Sequence, residues 1–105
     1  MTDCELLELA AKAAGTPGLK WIGSVPMLSD GKLWEPLTDD GDALRLAVDL
    51  QLGISVPPVI DGRVDVVTFY GPIISVVEYP KDDDRHAATR RAIVRAAAEI
   101  GRNMK

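Results

Sequence analysis

A single cysteine and a single histidine stand among the 105 residues. One thiol excludes an intramolecular disulfide and any metal site built from several thiolates. It fits a reducing cytosol. Cys4 and His86 lie far apart in sequence, and neither has a nucleophile or orienting acid beside it in a catalytic pattern. Gly-x-Ser-x-Gly elbows and Gly-rich phosphate loops are also missing. The chain therefore reads as non-enzymatic, with no catalytic residue, no cofactor and no metal. Long apolar runs are absent too. The longest stretch free of charge runs from Val66 to Val77 and is broken by Gly71 and Pro72, where a bilayer span needs about 20 apolar residues. The acidic start, Met1-Thr2-Asp3-Cys4-Glu5, lacks the basic region of a secretory signal. A basic excess is lacking as well: 12 Lys and Arg face 16 Asp and Glu, a net charge of −4. That balance speaks against a general nucleic-acid binder.

What remains is ordinary for a soluble globular protein: 47% hydrophobic and 27% charged residues. The length allows one domain, residues 1–105. Its charge is uneven. Residues 1–80 hold 5 basic and 12 acidic side chains, and residues 81–105 hold 7 and 4. The basic tail can pair with the acidic body or with an acidic partner.

Thr2 and Glu5 form a capping box ahead of Leu6, Leu9, Ala10 and Ala13, so residues 3–14 are expected to be helical, with Gly15 as the stop. Residues 15–37 carry Gly15, Pro17, Gly18, Gly23, Pro26, Gly31 and Pro36 and read as a long loop. Within it, Lys20-Trp21-Ile22 and Lys32-Leu33-Trp34 are short extended pieces, with a tight turn at Ser29-Asp30-Gly31-Lys32. A second helix is expected over 38–53, capped by Thr38, Asp39, Asp40 and Asp42 and stopped by Gly53. Its stripe is Ala43, Leu46, Ala47 and Leu50, widened by Leu44 and Val48. Antiparallel strands fill 54–80, as Ile54–Ile60, Val64–Tyr70 and Ile73–Tyr79, turning at Asp61-Gly62 and Gly71-Pro72. Asp84 caps a last helix over 84–102. The order α, loop, α, β, β, β, α predicts an α+β fold with a small three-stranded antiparallel sheet and helices packed on one face. Leu46, Leu50, Val66, Ile74, Val76, Ile93 and Ile100 are its expected core.

The block from Trp34 to Ala47, the block from Ala87 to Gly101 and the opening Glu5 to Gly15 resemble a family of small uncharacterised bacteriophage and prophage proteins of Gram-negative hosts. The resemblance implies a phage origin and action in the host cytoplasm. No residue role follows from it. Inhibition of a host protein, anti-CRISPR and other anti-defence proteins included, is the class it suggests.

Trp21 and Trp34 sit in the long loop, where tryptophan is either a core plug or a binding anchor. Trp34, next to the second helix, favours the plug; Trp21, between Gly18 and Gly23, favours the anchor. With Asp30, Glu35, Asp39 and Asp40 as an acidic rim, they make the candidate partner-binding surface, suited to a basic site on a host nucleic-acid-binding defence complex. Asp39, Asp40 and Asp42 lack calcium-loop spacing and read as caps, as do Asp82, Asp83 and Asp84 ahead of His86. Arg91, Arg95 and Arg102 fall within about 40° of one another on the last helix and form a secondary basic face. The same helix and strand order occurs in double-stranded-RNA-binding domains, but acidic Asp82–Asp84 stands where those are basic. The leading expectation is an inhibitor of a host protein. The alternatives are sequestration of a nucleotide or other small ligand, and nucleic-acid binding through the arginine face. A homodimer is left open.

Overall fold

Local side-chain chemistry sets the helix ends in the computed structural model, which describes residues 2–16, 18–28, 30–56, 63–68, 74–81 and 84–104. Helix α1 spans Asp3–Ala13, with the Thr2 hydroxyl accepting from the Glu5 amide. Its end is a Schellman turn: Thr16 N donates to Ala11 O, Gly15 N donates to Lys12 O, and Gly15 has φ +80°. Helix α2, Asp40–Asp49, is capped by Asp39, whose carboxylate accepts from Asp42 N at 2.8 Å. Helix α3, Arg85–Asn103, is capped by Asp84. It runs almost to the limits expected of it.

Two antiparallel sheets complete the α+β fold. The first is a hairpin, β1 (Lys20–Ile22) with β2 (Val25–Met27), inside the segment read as a loop. The second has the order β3 (Leu52–Ser55), β4 (Val64–Thr68), β5 (Ser75–Glu78). Opposed residues include Ile54 and Val66, and Val66 and Val76. One face of the larger sheet therefore carries Leu52, Ile54, Val64, Val66, Ile74 and Val76. Helices α2 and α3 lie on it, and α1 packs on α3. The Cα radius of gyration is 13.2 Å, the value of about 13 Å that one folded unit of this length gives.

Helix α3 is the centre of the core. Ala88, Ala92, Ile93, Val94, Ala96, Ala97, Ala98 and Gly101 are all buried, because it is covered by the sheet and α2 on one side and by α1 on the other. Of the expected core, Leu46, Val66, Ile74, Val76 and Ile93 are buried, and Leu50 and Ile100 are half-buried against it. Three expectations need correction. Helix α2 runs over Asp40–Asp49 rather than 38–53, because Asp39 rather than Thr38 is its N-cap and Gln51 adopts φ +55° and turns the chain into β3, which begins at Leu52 rather than Ile54. Leu44 and Val48 do not widen the buried stripe; they are 59% and 65% exposed. The segment 15–37 is not a plain loop, since Pro26 sits where a hairpin tolerates it. The turns expected at Asp61-Gly62 and Gly71-Pro72, the strand ends at 57–60, 69–70 and 73, and Asp82 and Asp83 lie outside the described residues.

Candidate functional site

Between Ile22 and Val25 the chain turns in two residues, with a positive φ at Gly23 (+63°) and none at Ser24. That is the pattern of a type II′ turn, which suits the twist of paired strands. Leu33 bridges Met27 from the other side, and Trp34 N donates to Pro26 O at 3.0 Å. The Pro26 carbonyl thus points away from β1. Pro26 occupies a non-hydrogen-bonded position opposite Trp21, where its missing N–H costs the β1 pairing nothing. The turn back to Leu33 is closed by Leu28 N to Lys32 O and by the Asp30 carboxylate, which accepts from Lys32 N at 3.0 Å.

Strand alternation then sorts the side chains. Trp21, Pro26 and Trp34 share the inner face. Trp34 is 8% exposed and plugs the core. Trp21 is half-buried against the core, and its indole N–H donates to Glu8 Oε1 of α1 at 3.2 Å. The outer face holds Ile22, Val25, Met27 and Leu33 with Lys20. Ile22 is 60% and Leu33 53% exposed. The hairpin turns its tryptophans inward and presents aliphatic side chains outward. The sequence signal for this was the alternation on either side of Gly23-Ser24, masked by the proline.

Asp30, Asp39 and Asp40 of the acidic rim engage groups within the chain through their carboxylates, whereas Glu35 does so through its backbone N–H. Asp30 closes its own turn. Glu35 donates its backbone N–H to Asp42 Oδ2 at 2.9 Å. Asp39 caps α2, and Asp40 holds Arg90 at 2.6 Å, with His86 Nδ1 at 3.8 Å. Arg45 bonds Asp42 at 2.6 Å, and that hydrogen bond is the main cause that holds its pKa above the ordinary arginine value. Glu35 and Trp21 do meet in a cleft of about 260 Å³ with Asp3, Cys4 and Leu37.

The last-helix arginines are not bare either. Arg91 pairs with Asp3 of α1, Arg95 with Glu78 of β5, and Arg102 with Glu99. Each pair lowers the positive potential offered to a phosphate backbone. Arg90, next to that face in the sequence, is held from two sides: its Nε donates to Leu37 O at 3.0 Å and its Nη1 to Asp40 Oδ1 at 2.6 Å, and its side chain is 17% exposed. Cys4 and His86 line different clefts. Among the described residues no three of His, Cys, Asp and Glu cluster as metal ligands would, and no helix is long and apolar enough to cross a membrane. Comparison with protein-family models, with curated proteins and with solved structures gives no match.

Proposed function

We propose that the chain is a non-enzymatic binding protein that docks on a host protein and inhibits it. It would act in the host cytoplasm as a phage-encoded product, with anti-CRISPR and other anti-defence inhibitors as the class. The observation that supports this reading is the outer face of the β1–β2 hairpin. Ile22, Val25, Met27 and Leu33 form an apolar strip on a hairpin with a two-residue turn, held to α1 by the inward Trp21. Apolar groups at the centre of a contact with charges around them are the anatomy of a protein interface. The net charge of −4 favours a basic site on the partner, with charge steering the approach and the strip slowing release.

The experiment is a pull-down from host lysate with mass spectrometry, followed by binding measurements on variants. Ile22→Asp with Leu33→Asp should weaken the captured complex by about 2 kcal/mol or more, the hot-spot threshold, with an unchanged circular dichroism spectrum. Trp21→Ala should weaken it through the hairpin's seating. A folded double variant that binds as tightly as the parent defeats the assignment to this face.

A further inference from the structure

Thr68 N donates to Ile74 O, which fixes the phase of the larger sheet. In an antiparallel ladder hydrogen-bonded pairs alternate with non-bonded ones. Val66 and Val76, and Val64 and Glu78, are therefore bonded pairs in this register. Asp65 and Val67 then direct their backbone groups toward β3, onto Ser55 and Gly53. The N–H and C=O of Leu52 and Ile54 consequently point away from β4, along the free side of β3. Among the described residues no strand pairs with them.

The two sheet edges are treated differently. On β5 the outward carbonyl of Val77 accepts from Arg95 at 3.3 Å, and Arg95 is paired with Glu78. A charge thus guards that edge, as native sheets commonly arrange. On β3, among the described residues, no charged side chain is seen on the outward backbone, and Pro57 and Pro58 follow the strand in the sequence. From Leu50 to Val56 the chain reads Leu-Gln-Leu-Gly-Ile-Ser-Val, with no ionisable side chain. Beside this edge lie exposed apolar groups. Leu44 of α2, Ile54 and Val56 line one groove with the buried Ile93, whose other end carries Asp40, Asp84, Arg85, His86 and Arg90, and Val48 is one helical turn from Leu44.

We propose that the β3 edge is the interface of a homodimer, in which two copies join antiparallel about Ile54 into one six-stranded sheet. The segment is its own complement. A two-fold axis at Ile54 bonds Ile54 to Ile54 of the second copy and sets Leu52 against its Val56. No charge on 50–56 meets a like charge. The same operation brings the exposed Leu44 and Val48 of the two α2 helices together. One symmetric contact thus covers both the open backbone and the apolar side chains beside it, and leaves no β3 edge to continue the association. This surface is separate from the hairpin face.

Sedimentation velocity over a concentration series tests it. The mass should rise from 11.3 kDa toward twice that value in the micromolar range. Ile54→Pro deletes an outward N–H and no bond to β4. Leu44→Glu places a charge beside its own copy. Each should raise the dimer dissociation constant about tenfold or more, with the circular dichroism spectrum retained. If Ile54→Pro does not fold, Leu44→Glu decides. Ile22→Asp should leave the dimer intact, which separates this result from the hairpin reading. A parent protein that stays monomeric overturns the proposal, even if the edge then takes a strand from another protein. So does a dimer unaffected by Leu44→Glu in a folded variant.

Discussion

Gly101 shows how one missing carbon sets a helix contact. Glycine inside a helix costs about 1 kcal/mol relative to alanine. Here a Cβ would stand 2.0 Å from the carbonyl oxygen of Leu9, so α1 and α3 approach closely only because that carbon is absent. Ala10, Ala11, Ala97 and Ala98, all buried, belong to the same small-residue core. Gly101→Ala should therefore destabilise the protein despite its better helix propensity, by roughly 1–3 kcal/mol as overpacking does. A urea melt reads this directly, and an unchanged or higher midpoint would contradict the close approach. Gln51 is the converse case. It holds φ +55° without being glycine, a conformation that costs an L-residue about 1–2 kcal/mol. Gln51→Gly should relieve part of this and raise stability by about 1 kcal/mol. A lower midpoint in the same melt would show that the Gln51 side chain stabilises more than its backbone strains.

At the level of elements, legibility followed the locality of the signal. Both ends of α1 and the start of α3 were readable because Thr2, Gly15 and Asp84 act within one helical turn of themselves. The three-stranded sheet was readable from its β-branched runs. The end of α2 was not, since Gly53 looked like the stop while the turn is made by Gln51, a residue with no propensity to advertise it. Leu44 and Val48 were misplaced for a related reason. Their periodicity suits a wide buried stripe, but whether the stripe is covered depends on what packs there, and β3 leaves that flank open. The hairpin was hidden because Pro26 argues against a strand unless the phase of pairing is known. That phase comes from Trp34 bonding Pro26, a contact no local pattern encodes. The candidate site shared this fate: the segment 15–37 carries it, yet which side chains face outward depends on strand alternation within a hairpin the sequence did not announce.

For the whole molecule, the charge asymmetry between body and tail resolves into ion pairs between elements. Arg91 ties α3 to α1 through Asp3, Arg95 ties it to β5 through Glu78, and Arg90 ties it to Leu37 and Asp40 at the entrance to α2. The basic tail thus fastens the acidic body around the central helix. Arg91 and Arg95 are about two-fifths exposed, so solvent screens them, and each such pair contributes only about 0.2–1 kcal/mol. Reversing both, with Arg91→Glu and Arg95→Glu, replaces two attractions by two repulsions. Stability should then fall by about 1–2 kcal/mol, most at low salt, where screening is weakest. Restoring opposite charge with Asp3→Arg and Glu78→Arg in the same chain should recover part of the loss. Binding to a partner seated on the hairpin face should be unchanged wherever the reversed protein remains folded. Urea melts at two salt concentrations, alongside the lysate pull-down, separate these roles. If the reversal abolishes binding while the melt is unaffected, Arg91 and Arg95 serve the partner rather than the fold, and the interface lies on α3 instead of Ile22 and Leu33.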